Sequence, residues 1–65
     1  MADYGDDVRR LLSEDGYKKL PRRGKGSHSM WYNDVKNITV TVKDRIKSRH
    51  SANAILKDAK INHKF

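Results

Sequence analysis

Between Asn37 and Val42 the chain alternates strictly: Ile38, Val40 and Val42 are apolar and β-branched, while Asn37, Thr39 and Thr41 are polar. A period of two places the aliphatic side chains on one side of a strand and the polar ones on the other, so this segment calls for a sheet with one covered face and one open face. A strand of this length needs partners. The nearest is Ser27 to Tyr32, rich in aromatics and followed by the turn formers Asn33 and Asp34, so the two segments read as a hairpin. A loop of about four or five residues leaves the register open, and a slip by one residue decides whether His28 shares a face with Ile38 or with Thr39. Tyr17 to Arg22 reads as a weaker strand, which Pro21 confines to an edge or an end.

Helices flank these strands. Tyr4, Val8, Leu11 and Leu12 recur at helical spacing, with Asp6 read as the cap and Gly16 as the left-handed residue just past the end. Ala52, Ile55, Leu56 and Ala59 follow the i, i+3, i+4, i+7 pattern of a second helix, capped by Ser48 or Ser51 and running to about Lys60. Lys43 to Ser48 joins the sheet to this helix with Ile46 as its one apolar anchor. The order helix, three strands, helix predicts an α+β fold: a three-stranded antiparallel sheet with both helices on one face, the α-β-β-β-α architecture of double-stranded-RNA-binding domains.

At 65 residues the chain has room for one domain, with a core over about residues 4–61 and a tail, residues 62–65, expected to fray. It contains no cysteine, so neither a disulfide framework nor a thiolate metal cluster is available. No apolar run approaches the ~18 residues of a membrane span, and the acidic first fifteen residues do not read as a signal peptide. The expectation is a cytoplasmic protein without a membrane partner.

The formal charge of +7 is unevenly spread. The first fifteen residues hold five acids against Arg9 and Arg10, whereas the remaining fifty hold thirteen cations against three acids. Such asymmetry points to an anionic partner for the basic part, nucleic acid first and an acidic protein second, with a merely solubilising surface as the plain alternative.

Chemistry has few places to reside. His28, His50 and His63 stand too far apart for any compact metal motif, and no HExxH or paired carboxylates accompany them, so no metal is expected. Ser27 and Ser29 flank His28, but neighbours on a strand point to opposite faces and do not form a nucleophile and base pair. His28 does follow directly on a basic, glycine-rich turn. There, Gly24 and Gly26 let a phosphate approach the backbone, and Arg22, Arg23 and Lys25 supply charge against it. A histidine beside a phosphate can move a proton at a ribose 2′-hydroxyl, the group that marks RNA, without a metal or other cofactor. Lys43, Arg45, Lys47 and Arg49 form a second basic stretch, either a phosphate grip or a solvated loop. Trp31 either stacks a base on an open sheet face or packs beneath a helix, and the second is the commoner fate of a tryptophan in so small a domain. His50 reads as a surface residue that joins His28 only if the loop folds back over the sheet.

These residues also carry a resemblance. Gly16-Tyr17, the basic run Arg22 to Lys25, Gly26-Ser27-His28, the Ile38 to Val42 strand and the closing run Ala54 to Ile61 are similar, in that order, to the HicA family of toxins from bacterial toxin–antitoxin pairs. The resemblance implies a double-stranded-RNA-binding-like fold and the toxin role in a type II system. It further implies a cofactor-free mRNA interferase activity with His28 as the essential histidine and a HicB-like antitoxin that covers the site. Taken with the two basic stretches, this makes Arg22, Arg23, Lys25, Gly26, Ser27, Lys43, Arg45 and Lys47 the residues expected to hold the RNA. The chain departs from many members at Ser29, where they carry a second histidine, at Thr41 and Val42, where they carry a proline, and at Lys60, where they carry glycine. The alternative reading is a non-catalytic RNA-binding module on the same fold.

Overall fold

A computed structural model describes residues 3–21 and 28–65. Along the chain run α1 (Gly5–Glu14), β1 (Lys18–Leu20), β2 (His28–Asn33), β3 (Ile38–Lys43) and α2 (Arg49–Asp58). The strands form one antiparallel sheet in the order β1-β2-β3. This is the α+β arrangement that the order of patterns predicts.

The hairpin register is set by Asn33 opposite Ile38, which leaves a four-residue connection, 34–37. Asn37 closes it with φ of 56°, a left-handed conformation that asparagine tolerates better than most residues. The Asn33 side chain accepts from the Lys36 amide at 3.0 Å and donates to the Asp15 carbonyl at 3.0 Å, joining the turn to the end of α1. In this register Ser29, Trp31 and Asn33 pair with Val42, Val40 and Ile38, and that side of the sheet is buried.

Trp31, Val40 and Val42 lie in one core with Val8 and Leu12 of α1, Ala52 and Leu56 of α2, and Tyr17, Ile46 and Ala59. Both helices therefore cover the same face of the sheet. Trp31 takes the packed position, with its indole N–H donating to Ser29 Oγ at 3.0 Å. Among the described residues no buried side-chain nitrogen or oxygen lacks a hydrogen-bond partner.

The start of α1 differs from the sequence expectation. Tyr4 is the N-cap residue and Asp6 instead pairs with Arg9 at 2.8 Å. The capping carboxylate comes from Asp3, whose Oδ1 accepts from the Gly5 amide at 2.9 Å and from the Ile46 amide at 3.2 Å. These two bonds, aided by the nearby Arg9 and Arg45 charges, hold the Asp3 carboxyl below its ordinary pKa despite the opposing effect of desolvation. Gly5 is required for space, because a Cβ there would lie 2.8 Å from the Asp44 carbonyl oxygen. The segment after β3 is thus laid against the start of α1, and Arg9 adds a bond to the Asp44 carbonyl at 3.1 Å.

Both helices end in the same motif. The Tyr17 amide donates to the Leu12 carbonyl and the Gly16 amide to that of Ser13, while Ile61 donates to Leu56 and Lys60 to Lys57. This pair of hydrogen bonds needs a left-handed residue just past the helix. Gly16 supplies it at φ 100°, and Lys60 supplies it at φ 56°, which gives the physical reason a glycine suits the Lys60 position. Lys36 ties the two ends together, its ammonium reaching the Asp15 carboxylate and the carbonyls of Ala59 and Lys60. α2 starts as expected at Ser48, whose hydroxyl accepts from the His50 and Ser51 amides.

Residues 62–65, read from sequence as a fraying tail, carry specific contacts. The Phe65 amide donates to Asn53 Oδ1 at 2.8 Å and its ring lies 4.9 Å from that of Tyr4.

Candidate functional site

His28 is the first residue of β2, and the register decides what surrounds it. It pairs with Lys43 across the hairpin, while Met30 faces Thr41 and Tyr32 faces Thr39. His28 therefore stands on the face of the sheet away from both helices, the one shared with Thr39, and it is exposed. Directly opposed residues of an antiparallel pair keep their Cβ atoms within about 4.5–5.5 Å, so the Lys43 side chain starts beside that of His28. A cation so placed suits the charge that gathers on phosphate oxygens during transfer.

Ser29, next in sequence, has a different task. It is buried on the helix side, where its hydroxyl accepts from the Trp31 indole and donates to the Val42 carbonyl at 3.3 Å. It is thus directed away from His28 and already engaged. The Lys43 and Asp44 carbonyls accept from Arg9, and Ile46, only 2% exposed, anchors the segment into the core. Lys43, Arg45 and Lys47 of this segment, like Arg49 just beyond it, are exposed to solvent. Arg22, Arg23, Lys25, Gly26 and Ser27, the other expected RNA contacts, lie outside the described residues.

The remaining histidines belong to another surface. His50 in the first turn of α2 and His63 in the tail line an open groove of about 750 Å³ with Lys57, Lys60 and Lys64. Because α2 covers the opposite side of the sheet, His50 does not join His28. Among the described residues no three histidine, aspartate or glutamate side chains are grouped as metal ligands, and no helix is long and apolar enough to cross a membrane.

Sequence reasoning passed over Tyr32 and Met30, which share the open face with His28 and are half-buried there. Counting by twos from His28 along β2 identifies them once that histidine is known to face outward.

The fold and the placement of His28 define a small α+β domain whose open sheet face carries a histidine beside lysines. The family model described as HicA toxin of bacterial toxin-antitoxin matches residues 5–61, and the chain belongs to that family. Membership makes it the toxin half of a toxin–antitoxin pair. No curated protein and no solved structure matches it.

Proposed function

We propose that the chain is an endoribonuclease toxin that cleaves mRNA without a metal or cofactor, with His28 as its acid–base residue. The observation that carries this reading is the register, which leaves the histidine exposed on the open face of the sheet and opposite Lys43. His28 takes the proton of a ribose 2′-hydroxyl. The 2′-oxygen then attacks the adjacent phosphorus, the bond to the 5′-oxygen breaks, and that oxygen is protonated from water. The products are a 2′,3′-cyclic phosphate and a 5′-hydroxyl end. Lys43 faces the charge on the phosphate oxygens, Arg45 and Lys47 extend the basic path, and Arg22, Arg23, Lys25, Gly26 and Ser27 hold the backbone ahead of His28.

A HicB-like antitoxin that covers this exposed face would restrain the toxin in its host. A cytoplasmic location accords with such a substrate.

Incubating the purified chain with a defined single-stranded RNA in the presence of chelator tests the proposal. Fragments ending in 2′,3′-cyclic phosphate, absent with His28→Ala, are expected. Binding that weakens with salt but yields no fragments would instead favour the non-catalytic RNA-binding module.

A further inference from the structure

The open face of the sheet has a consistent composition. On β2 its row is His28, Met30 and Tyr32; Lys43, Thr41 and Thr39 lie across on β3, and Leu20 and Lys18 lie across from Met30 and Tyr32 on β1. Leu20, Met30 and Tyr32 are half-buried and make an apolar strip, while His28, Lys18, Lys43 and the two threonines are exposed around it. Thr41 Oγ1 sits 3.1 Å from Met30 Sδ, and the Tyr32 hydroxyl donates to Asn37 Oδ1 at 3.3 Å, so both central side chains are held on the surface. Among the described residues this face carries no acid: the carboxylates lie in and around α1, in the hairpin turn, after β3 and in α2.

An aromatic ring amid threonines and lysines on an acid-free sheet suits an unstacked base and its flanking phosphates. Trp31, the other aromatic of β2, is buried and spent on Ser29. Tyr32 stands four residues from His28, about 13 Å along the strand. That is a short step along an extended nucleic-acid chain from the reacting phosphate. A base paired inside a duplex offers no free surface to such a ring. The lysine-lined groove along α2, on the opposite side, is the rival basic surface for an anion.

We infer that the open face is a platform for single-stranded RNA on which Tyr32 stacks a base near the bond that His28 acts upon, with Lys18 and Lys43 against the flanking phosphates. This rests on the ribonuclease reading for its substrate, and the sheet surface adds to it Tyr32 as a substrate-binding residue that holds a base by stacking.

The test measures binding of the full chain to a short, non-cleavable 2′-O-methyl RNA as a single strand and as a duplex, alongside cleavage of the unmodified strand. Tyr32→Ala is expected to weaken single-strand binding about five- to 150-fold, and Tyr32→Phe, which keeps the ring, to change it less than about twofold. Thr39→Asp, which sets a carboxylate opposite Tyr32 on the exposed side, is expected to weaken binding while the chain remains folded at the assay temperature, its melting temperature lowered only by the strand cost of aspartate. Wild-type binding by folded Tyr32→Ala, tighter binding of the duplex, or a larger loss from Lys57→Ala with Lys60→Ala than from Tyr32→Ala overturns the platform. The two readings separate cleanly. Binding that depends on Tyr32 without cleavage by the wild type upholds the platform and removes the ribonuclease. Cleavage that depends on His28, with half-saturating RNA unchanged in Tyr32→Ala, removes the platform and leaves the ribonuclease.

Discussion

Replacing Tyr17 by phenylalanine tests how the layers are joined. The phenol is buried, only 2% exposed, and its hydroxyl donates to the Ala59 carbonyl at the end of α2, 2.7 Å away. Losing such a bond typically costs about 0.5–1.5 kcal/mol net, and about 1–3 kcal/mol when a buried partner is left unsatisfied. The smaller figure applies, because Lys36 Nζ also donates to the Ala59 carbonyl at 3.2 Å and remains in the variant. For a domain of this size 1 kcal/mol corresponds to about 4–8 °C, so the melting temperature at pH 7 should fall by roughly that much. Alkaline pH gives a second readout. Burial raises the Tyr17 pKa above its ordinary 10.0, against the lowering effect of the Lys36 charge. The unfolded phenol therefore ionises first. Its contribution to stability is fully present below pH 10 and is lost as pH rises through the folded value. Wild type should lose stability above pH 10 that Tyr17→Phe does not, narrowing the gap between them. Calorimetric melts across that range decide the matter. An unchanged melting temperature at pH 7, or parallel alkaline losses in both proteins, would refute the reasoning.

Other perturbations address the helix ends. Gly16→Ala meets only Asn33 Nδ2 at 3.5 Å, so its cost is the backbone at φ 100°, about 1–2 kcal/mol, readable by urea titration. Lys60→Gly removes a left-handed penalty of about 1–2 kcal/mol and adds about 0.4–1 kcal/mol of unfolded-chain entropy, so the same titration should show a gain of no more than about 1.6 kcal/mol. The lowered Asp3 carboxyl contributes stability above its ordinary pKa of 3.8 that disappears as pH falls through the folded value. Asp3→Asn should flatten this part of the acid melting profile, measured by circular dichroism.

The parts of the fold that can be read along the chain are those whose cause is local. The alternation of Ile38, Val40 and Val42 needs only neighbouring residues to declare a strand, and the same holds for the apolar stripe of α2, the Ser48 cap and Gly16. Asp3, Gly5 and Lys36 give no local signal because their partners are remote: Ile46, Asp44 and the ends of both helices respectively. Asp6 looked like the cap because a carboxylate near a helix start satisfies the rule locally, whereas Asp3 also bonds across to the segment after β3. Among the site residues, the exposure of His28 and its pairing with Lys43 required the hairpin register, which a four-residue turn does not specify by itself. Tyr32 was hidden for the same reason, its outward side following from that register and from Trp31 turning inward.

On the proposed reading, His28 makes this member of the toxin family toxic. Inducing expression of the wild-type chain in bacteria, with growth and mRNA followed together, tests it most directly beside His28→Ala, a change at an exposed position that leaves the core intact. Wild type should arrest growth and deplete mRNA, while the variant accumulates folded and does neither. Equal arrest and equal mRNA loss with His28→Ala would contradict the assignment.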